Sequence, residues 1–196
     1  MSRRTVGAIV LTGGRASRLG GVDKARLTVA GQPMVETVLR AARAVADPVV
    51  TVGPGGDTRE EPPFSGPVAG IAAGLRALGA GGRDEVDVVV VTPCDLPGLD
   101  ASTLRSLVDA LTTARGDEGP GRAAPVVALG VDPTGHDQYL LAAWDRRALA
   151  ARLDDLERAG GVGGRAVRGL FPDAGPRGAV ADTRDAVAAT RASVTA

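Results

Sequence analysis

Short, continuous runs of apolar residues alternate along the chain with longer stretches in which apolar residues recur every three or four positions. The first pattern predicts β-strands buried on both faces, and the second predicts amphipathic helices. The predicted strands are residues 6–12, 49–53, 86–92, 126–131 and 138–143. The predicted helices are residues 32–45, 68–78, 101–115, 145–158 and 183–193. Alternating strands and helices predict a three-layer α/β fold with a mostly parallel sheet flanked by helices.

Glycine, proline and polar residues separate these elements. The longest such stretches, residues 54–67 and 116–124, are predicted to be loops. The sequence contains no internal repeat and no stretch typical of an interdomain linker. We therefore expect a single domain over residues 1–196.

The composition narrows the range of functions. The net charge is zero and there is no basic block, which argues against nucleic-acid binding as the main function. One cysteine excludes an internal disulfide framework, and one cysteine with one histidine cannot form a structural zinc site. No apolar run is long enough for a signal peptide or a membrane span, so we expect a cytoplasmic protein. Aromatic residues are only 2 % of the chain, so the core must consist mainly of aliphatic side chains and alanine.

A glycine-rich segment, LTGGRASRLGGVDK, covers residues 11–24 at the end of the first predicted strand. Its glycines allow sharp turns that bring backbone N–H groups close to an anion. Arg18 and Lys24 supply the opposite charge. Lys24 is the only lysine in a chain whose other basic residues are arginines, which sets it apart from an ordinary surface cation. The segment predicts a loop that holds phosphates.

A second motif, TPCDLP, covers residues 92–97 at the end of the third predicted strand. Open α/β sheets bind ligands at the carboxyl ends of their strands, so Asp95 is expected in the same crevice as the glycine-rich loop. A carboxylate there is suited to Mg²⁺ that bridges to triphosphate oxygens. Alternatively, Asp95 could simply cap or turn the chain before Pro97. Cys94 is interpreted as a small buried thiol.

These motifs resemble those of the MobA-like NTP transferase family. Residues 11–24 are similar to the family signature L-[AT]-G-G-x-[AS]-x-R-[ML]-G-x-x-K, and SGPVAGIAAGL at 65–75 is similar to its P-G-P-L-A-G segment. The G-G-x-D-K and P-C-D-x-P patterns favour the molybdenum cofactor guanylyltransferases within it. The resemblance implies a Rossmann-like nucleotidyltransferase fold and Mg²⁺-dependent transfer of GMP from GTP to molybdopterin, with release of pyrophosphate. A cofactor-delivery or acceptor protein could be a further partner.

The resemblance also implies a role for each matching residue. The nucleotide-binding residues would be Leu11, Thr12, Gly13, Gly14, Lys24, Gly66, Gly70 and Asp95. The catalytic residues would be Arg18, Lys24 and Asp95, with Asp95 and, more weakly, Asp182 as metal ligands. The acceptor-binding residues would be His136, Gln138 and Arg165. The nucleotide would then bind the part of the chain up to about residue 115, and the acceptor would bind residues 116–196.

Several alternatives stay open at this point. Residues 52–54 stand where the family has an asparagine, so base recognition is unassigned, although Glu60 or Glu61 could contact a guanine. His136 could be an ordinary loop residue, Asp182 could cap the last predicted helix, and Arg165 could lie on a solvated face. The same fold could use CTP with the same acceptor, or an NTP with a sugar or polyol phosphate. A non-catalytic nucleotide-binding or interaction module is the alternative of another class.

Overall fold

A six-stranded sheet forms the centre of the protein. The computed structural model describes residues 4–13, 28–29, 31–80, 86–116, 126–132, 134–171 and 179–182. The strands, in chain order, are β1 (Val6–Leu11), β2 (Thr28–Val29), β3 (Gln32–Pro33), β4 (Val49–Val52), β5 (Val88–Pro93), β6 (Val127–Val131), β7 (Asp137–Asp145) and β8 (Ala179–Asp182). β2 and β3 pair with each other, and the other six strands form one sheet in the order β4-β1-β5-β7-β6-β8.

All strands of the large sheet except β7 run in the same direction. β1 is parallel to its neighbours β4 and β5, and β6 is parallel to β8. β7 is antiparallel to both β5 and β6. The short connection between β6 and β7 explains this reversal, because parallel neighbours need a long crossover and antiparallel ones need only a turn. The predicted mostly parallel sheet is confirmed.

Helices cover both faces of the sheet. Among the described residues they are α1 (Met34–Arg43), α2 (Pro67–Ala80), α3 (Ala101–Gly116), α4 (Arg146–Arg158) and a 3₁₀ helix (Val167–Leu170). Within the part of the chain that is described, none of them is both long enough and apolar enough to cross a membrane. Helices on either side of one sheet give the three layers that the alternating pattern predicts.

The core is divided into two parts by the sheet. Ile9 and Leu11 of β1 point into a buried cluster with side chains of α2 and α4. Ala8 and Val10 point to the other face, into a buried cluster with side chains of α1 and α3. β1 is therefore buried on both faces, which confirms the interpretation of its unbroken apolar sequence.

The boundaries differ from the predicted ones in a few places. The predicted helix 32–45 begins at Met34, because Gln32 and Pro33 pair with β2 and because a residue that precedes proline disfavours the helical conformation. β8 and the 3₁₀ helix were not predicted, since the sequence after residue 160 has no clear period. The predicted helix 183–193 lies outside the described residues.

Helix α2 packs against the sheet through glycine on its buried side. A Cβ atom on Gly74 would lie 2.6 Å from Cγ2 of Ile9 and 3.0 Å from Cγ2 of Val52. Both neighbours are β-branched and have few alternative rotamers, so neither could move aside easily. Packing against the sheet accounts for this glycine.

We expect Gly74→Ala to lower the free energy of unfolding by about 1–3 kcal/mol, because the added methyl group overpacks the interface between α2 and the sheet. Gly79→Ala on the same helix is the matched control. Gly79 is exposed, and its nearest contact would be 3.6 Å away at Nη2 of Arg146. The control should leave stability unchanged or raise it by up to about 1 kcal/mol, as alanine favours the helix. Urea denaturation measures both values, and equal losses would contradict the packing argument.

Candidate functional site

The carboxyl ends of three parallel strands lie side by side at one edge of the sheet. Leu11, the last residue of β1, is paired with Val52 of β4 on one side and with Pro93 of β5 on the other. The chain passes from β1 to β4 and then to β5 on the opposite side of β1, so the direction of winding changes at β1. Such a switch point at the carboxyl ends is where open α/β sheets bind ligands.

The segment that follows β1 is held from both sides. The backbone N–H groups of Thr12 and Gly13 donate to the carbonyl oxygen of Val52 at 2.8 and 3.2 Å, and the hydroxyl of Thr12 donates to the same oxygen at 3.1 Å. On the β5 side, the N–H of Cys94 donates to the carbonyl oxygen of Leu11 at 3.0 Å. The first residues of the glycine-rich segment thus have a defined position.

Most of the glycine-rich segment lies outside the described residues. Gly14, Arg18 and Lys24 lie outside the described residues. Their assigned contacts with a nucleotide stay predictions. What the structure does describe is the point from which the segment starts, between the ends of β4 and β5.

Gly53 allows the close approach of β4 to this segment. Its φ angle is +145°, and a Cβ atom there would lie 2.5 Å from the backbone nitrogen of Gly13 and 2.6 Å from Oγ1 of Thr12. No other residue type fits at this position without moving the segment. This close approach could not be predicted from the sequence, because Gly53 and Thr12 are far apart in the chain.

A tight loop after Gly53 is stabilised by a carboxylate. Asp57 accepts hydrogen bonds from the N–H of Thr51 at 2.8 Å and from its hydroxyl at 2.7 Å. These two donors, the backbone one first, lower the pKa of the Asp57 carboxyl below its ordinary value of 3.8. The loop therefore depends on the ionised form of Asp57.

The start of α2 lies beside the same edge. Gly66, with φ +95°, directly precedes Pro67, which begins the helix as the sequence predicted. Gly70 is different, since a Cβ atom there would face Cδ2 of Leu11 at 3.3 Å. Packing against β1 accounts for Gly70, and its contact with a nucleotide stays a prediction.

Asp95 lies just beyond the end of β5 and is half-buried, next to the buried Cys94. β5 is paired with β7 so that Val91 lies opposite Ala142. Asp95 thus lies at the same edge of the sheet as the start of the glycine-rich segment and the start of β7, and its role in binding a nucleotide or a metal ion stays a prediction.

A buried carboxylate at the end of β6 was missed from the sequence. Asp132 is fully buried, and its Oδ1 atom accepts hydrogen bonds from the N–H groups of Thr134 and His136, each at 2.9 Å, and from the Thr134 hydroxyl at 2.6 Å. The Nε2 atom of Gln138 lies 3.4 Å from Oδ2 of Asp132. The D-x-T-x-H spacing was the available signal, but it does not reveal that the aspartate is buried. His136 and Gln138 thus belong to one turn organised by Asp132.

Asp182 shares this edge but lies further along the sheet. It ends β8 and is paired with Val131 of β6. Three strand spacings separate β5 from β8, about 14 Å between strand axes. Asp95 and Asp182 are therefore too far apart to bind one ion unless the chain beyond the strand ends brings them together. The role of Asp182 as a second metal ligand stays a prediction. Among the residues that are described, no group of three or more His, Cys, Asp and Glu side chains could hold a metal ion together.

Arg165 and Glu60 have local partners. The guanidinium of Arg165 donates to the carbonyl oxygens of Ala159 at 2.7 Å and of Gly161 at 3.0 Å, where it caps the end of α4. This capping accounts for the position of Arg165, and its contact with an acceptor phosphate stays a prediction. A carboxylate oxygen of Glu60 accepts from the N–H of Phe64 at 3.0 Å.

A surface groove of about 640 Å³ lies at the other edge of the sheet, near the start of β4. It is lined by Arg43, Asp47, Pro48, Ala77 and Leu78, among others. The residues of the candidate site do not line it. We therefore place the site at the carboxyl ends of the strands, where the polar groups converge.

The sheet and its loops define an α/β protein of the Rossmann-like class, with a ligand crevice at the switch point. A solved structure with a similar fold is the molybdopterin-guanine dinucleotide biosynthesis protein A from Archaeoglobus fulgidus, with a TM-score of 0.59 and 19 % identity, covering 95 % of this chain and 86 % of that one. The model of the MobA-like NTP transferase domain matches residues 8–175. The chain belongs to the MobA-like NTP transferase family.

Curated relatives share part of the chain and bear the name molybdenum cofactor guanylyltransferase. One from Bordetella pertussis is 34 % identical over 122 residues, which are 57 % of this chain and 59 % of that protein. One from Shewanella putrefaciens is 28 % identical over 160 residues, which are 74 % of this chain and 79 % of that protein. The chain thus spans about three fifths of the length of the Bordetella relative.

We expect Gly53→Ala to destabilise the protein more than Gly55→Ala, by roughly a further 1–3 kcal/mol. Both glycines have positive φ, so both variants carry the backbone cost of a side chain in that conformation. Only at Gly53 does the methyl group also meet the segment after β1, since nothing lies within 4 Å of a Cβ atom on Gly55. Chemical denaturation measures the difference, and two equal losses would show that the close approach is not needed.

We expect the contribution of Asp57 to stability to disappear in acid. Because the folded-state pKa lies below 3.8, the contribution is fully present above that value and is lost as the pH falls through the lower, folded-state pKa. Asp57→Ala should therefore be less stable than the parent at neutral pH, by at most about 1 kcal/mol because the carboxylate is exposed and solvent screens its charge, and the gap should narrow as the pH falls below 3.8. Thr51→Val, which keeps the amide donor and loses the hydroxyl, should retain part of this pH dependence. A gap that stays constant down to pH 2 would contradict the assignment.

Proposed function

We propose that this protein is a nucleotidyltransferase that uses Mg²⁺ to transfer GMP from GTP to the terminal phosphate of molybdopterin, with release of pyrophosphate. The family membership and the names of the relatives support this function. The observation that carries it is the meeting of two strand ends, since Leu11 pairs with Pro93 and the Cys94 amide bonds to Leu11. This pairing sets the start of the glycine-rich segment beside the strand end that precedes Asp95, which supports a common role in binding a nucleotide.

The described residues fit a magnesium ion of the kind that nucleotides carry. Mg²⁺ is usually held by one or two carboxylates together with phosphate oxygens and water. Asp95, half-buried at the end of β5, supplies one such carboxylate beside the segment that starts at Thr12. An ion held in this way would neutralise charge on the triphosphate. A cluster of three protein ligands is not required for it.

The remaining chemistry consists of positioning and charge neutralisation. An oxygen of the acceptor phosphate attacks the α-phosphorus in line, the bond to the bridging oxygen breaks, and pyrophosphate leaves. The loop amides beyond Gly13 and the cations Arg18 and Lys24 would stabilise the developing negative charge. The acceptor approaches from the side of β7 and β6, where the chain places the turn around Asp132.

CTP is the alternative nucleotide, and one observation keeps it open. Residues 52–54 follow the end of β4 at the point where the family has an asparagine, and Gly53 there fits against the backbone of Gly13. No side-chain amide at this position can read the edge of a guanine. The base therefore has to be recognised by other groups, which could suit cytosine.

Calorimetry with GTP and CTP, with and without Mg²⁺, tests the nucleotide. We expect GTP to bind more tightly than CTP and its binding to depend on Mg²⁺. A preference for CTP would transfer the proposal to cytidylyl transfer. If neither nucleotide binds, the proposed function is wrong and a sugar-phosphate substrate or an interaction module becomes the better explanation.

We expect Asp95→Ala to abolish turnover and Lys24→Ala to reduce it by at least about 100-fold, the cost of removing one group that stabilises a transition state. Asp154→Asn, an exposed carboxylate on α4, is the control for loss of a negative charge elsewhere. Release of pyrophosphate from GTP and molybdopterin is the measurement. Unfolding curves of the variants should overlay that of the parent. Full activity of either variant would refute the assigned roles.

A further inference from the structure

The turn between β6 and β7 joins a buried carboxylate to an exposed imidazole. The side chain of Asp132 is 1 % exposed, whereas that of His136 is 79 % exposed. Between them stands the hydroxyl of Thr134, with its oxygen 2.6 Å from Oδ1 of Asp132 and 2.6 Å from Nδ1 of His136. Three polar groups are thus connected in a row from the interior to the surface.

The hydrogen bonds fix which nitrogen of His136 carries the proton. The contact between the Thr134 hydroxyl and Oδ1 of Asp132 contains one proton, and a carboxylate oxygen has none to give, so the hydroxyl donates and Oδ1 accepts. The single hydroxyl proton of Thr134 is therefore used towards Asp132. The Thr134 oxygen can then only accept from His136, which requires a proton on Nδ1. This arrangement leaves Nε2 as the atom that is directed away from the row and can meet a ligand.

The turn stands at the edge of the sheet that carries the candidate site. Asp132 follows β6, whose carboxyl end points the same way as those of β1 and β5. The strand that leaves the turn, β7, is the direct neighbour of β5. The turn thus joins the two strands next to β5, at the edge of the sheet where Asp95 lies and about 5–10 Å from β5 between strand axes. An exposed nitrogen with a fixed protonation pattern is therefore presented beside the crevice.

An ordinary turn would not need this arrangement. The two backbone N–H groups that bind Asp132 would be satisfied equally well with any residue at position 134 that leaves the backbone unchanged. A buried carboxylate is also a costly way to stabilise a turn, since the charge must be taken out of water. The Thr134 hydroxyl donates to the buried carboxylate and, in addition, holds the His136 imidazole.

We propose that Asp132 and Thr134 are positioning residues that hold His136 with its proton on Nδ1, so that Nε2 shares a proton with the phosphate monoester of the acceptor. This inference rests on the proposed function, because it assigns the acceptor side of the same crevice. The hydrogen bond contains one proton between Nε2 and a phosphate oxygen. The proton lies on the phosphate when the imidazole is neutral and on Nε2 when the phosphate is a dianion, and the proton count is the same in both. When the phosphate attacks, this proton stays on Nε2.

Nuclear magnetic resonance tests the tautomer directly, because the chain contains one histidine. In ¹⁵N-labelled protein under alkaline conditions, in which the imidazole is neutral, we expect Nδ1 to be protonated and Nε2 to be bare. Thr134→Val should lose this preference, since it removes the hydroxyl and keeps the backbone N–H groups of the turn. Thr134→Ser, which restores a hydroxyl, should regain it. A protonated Nε2 in the parent, or identical spectra for the parent and Thr134→Val, would overturn the proposal.

Inorganic phosphate is the probe for the ligand, and it needs no turnover. Near neutral pH, added phosphate should shift the Nε2 resonance of His136 with saturation, and Thr134→Val should weaken this response several-fold. No shift, or an equal shift in both proteins, would overturn the proposal. This result decides the inference even if neither GTP nor CTP gives a product, in which case only the proposed function fails.

Kinetics then separate positioning from general damage. Thr134→Val should raise the KM for molybdopterin about tenfold, the order expected for one hydrogen bond to a charged group, and leave the KM for GTP unchanged. Thr134→Ser should lie close to the parent. Equal increases in both KM values, or no increase for the acceptor, would contradict the assigned role. Unfolding curves of both variants serve as the check on folding.

Discussion

The carbonyl oxygen of Val52 is the point on which the arrangement of the site depends. Both amides after β1 and the Thr12 hydroxyl converge on this one acceptor. Their convergence requires β4 and β1 to end level with each other and requires the chain at Gly53 to carry no side chain. Because β1 is buried on both faces, its end cannot shift to relieve a conflict there. The position of the glycine-rich segment is therefore a consequence of the register of the central strands.

The scarcity of aromatic side chains affects the packing of the whole core. With few aromatic side chains available, layers have to approach closely to exclude water, and α2 does so through Gly70 and Gly74. Three of the four aromatic residues are used together, since the rings of Tyr139 and Trp144 both contact that of Phe171, at 4.9 and 4.8 Å between centroids. This cluster joins β7 to the segment after the 3₁₀ helix. Small residues thus fit α2 against the sheet, and the rings fill the part of the same core beside β7.

Much of the fold could be predicted from the sequence because the buried strands are unbroken apolar runs. The strand ends also located Asp95 correctly relative to β1, since parallel strands present their carboxyl ends at one edge. The clash that makes Gly53 necessary could not be predicted, because it involves backbone atoms from a distant part of the chain. Nor could the burial of Asp132, which depends on β6 lying between β7 and β8. The roles of Arg18 and Lys24 rest on the sequence alone, because both residues lie outside the described ones.

The contact between two loops has a mechanical consequence. The N–H of Gly164 donates to the carbonyl oxygen of Ser65 at 2.7 Å, so the chain after α4 is tied to the chain before α2. α4 follows β7 without a loop, with Asp145 as its N-cap, and β7 begins at the turn around Asp132. The chain therefore runs from the turn around Asp132 through β7 and α4 to Gly164. The hydrogen bond from Gly164 then connects it to the loop before α2, on the opposite side of the crevice. A rigid-body hinge between the two sides would have to break the hydrogen bond between Gly164 and Ser65, so we expect the two sides of the site to move as one unit.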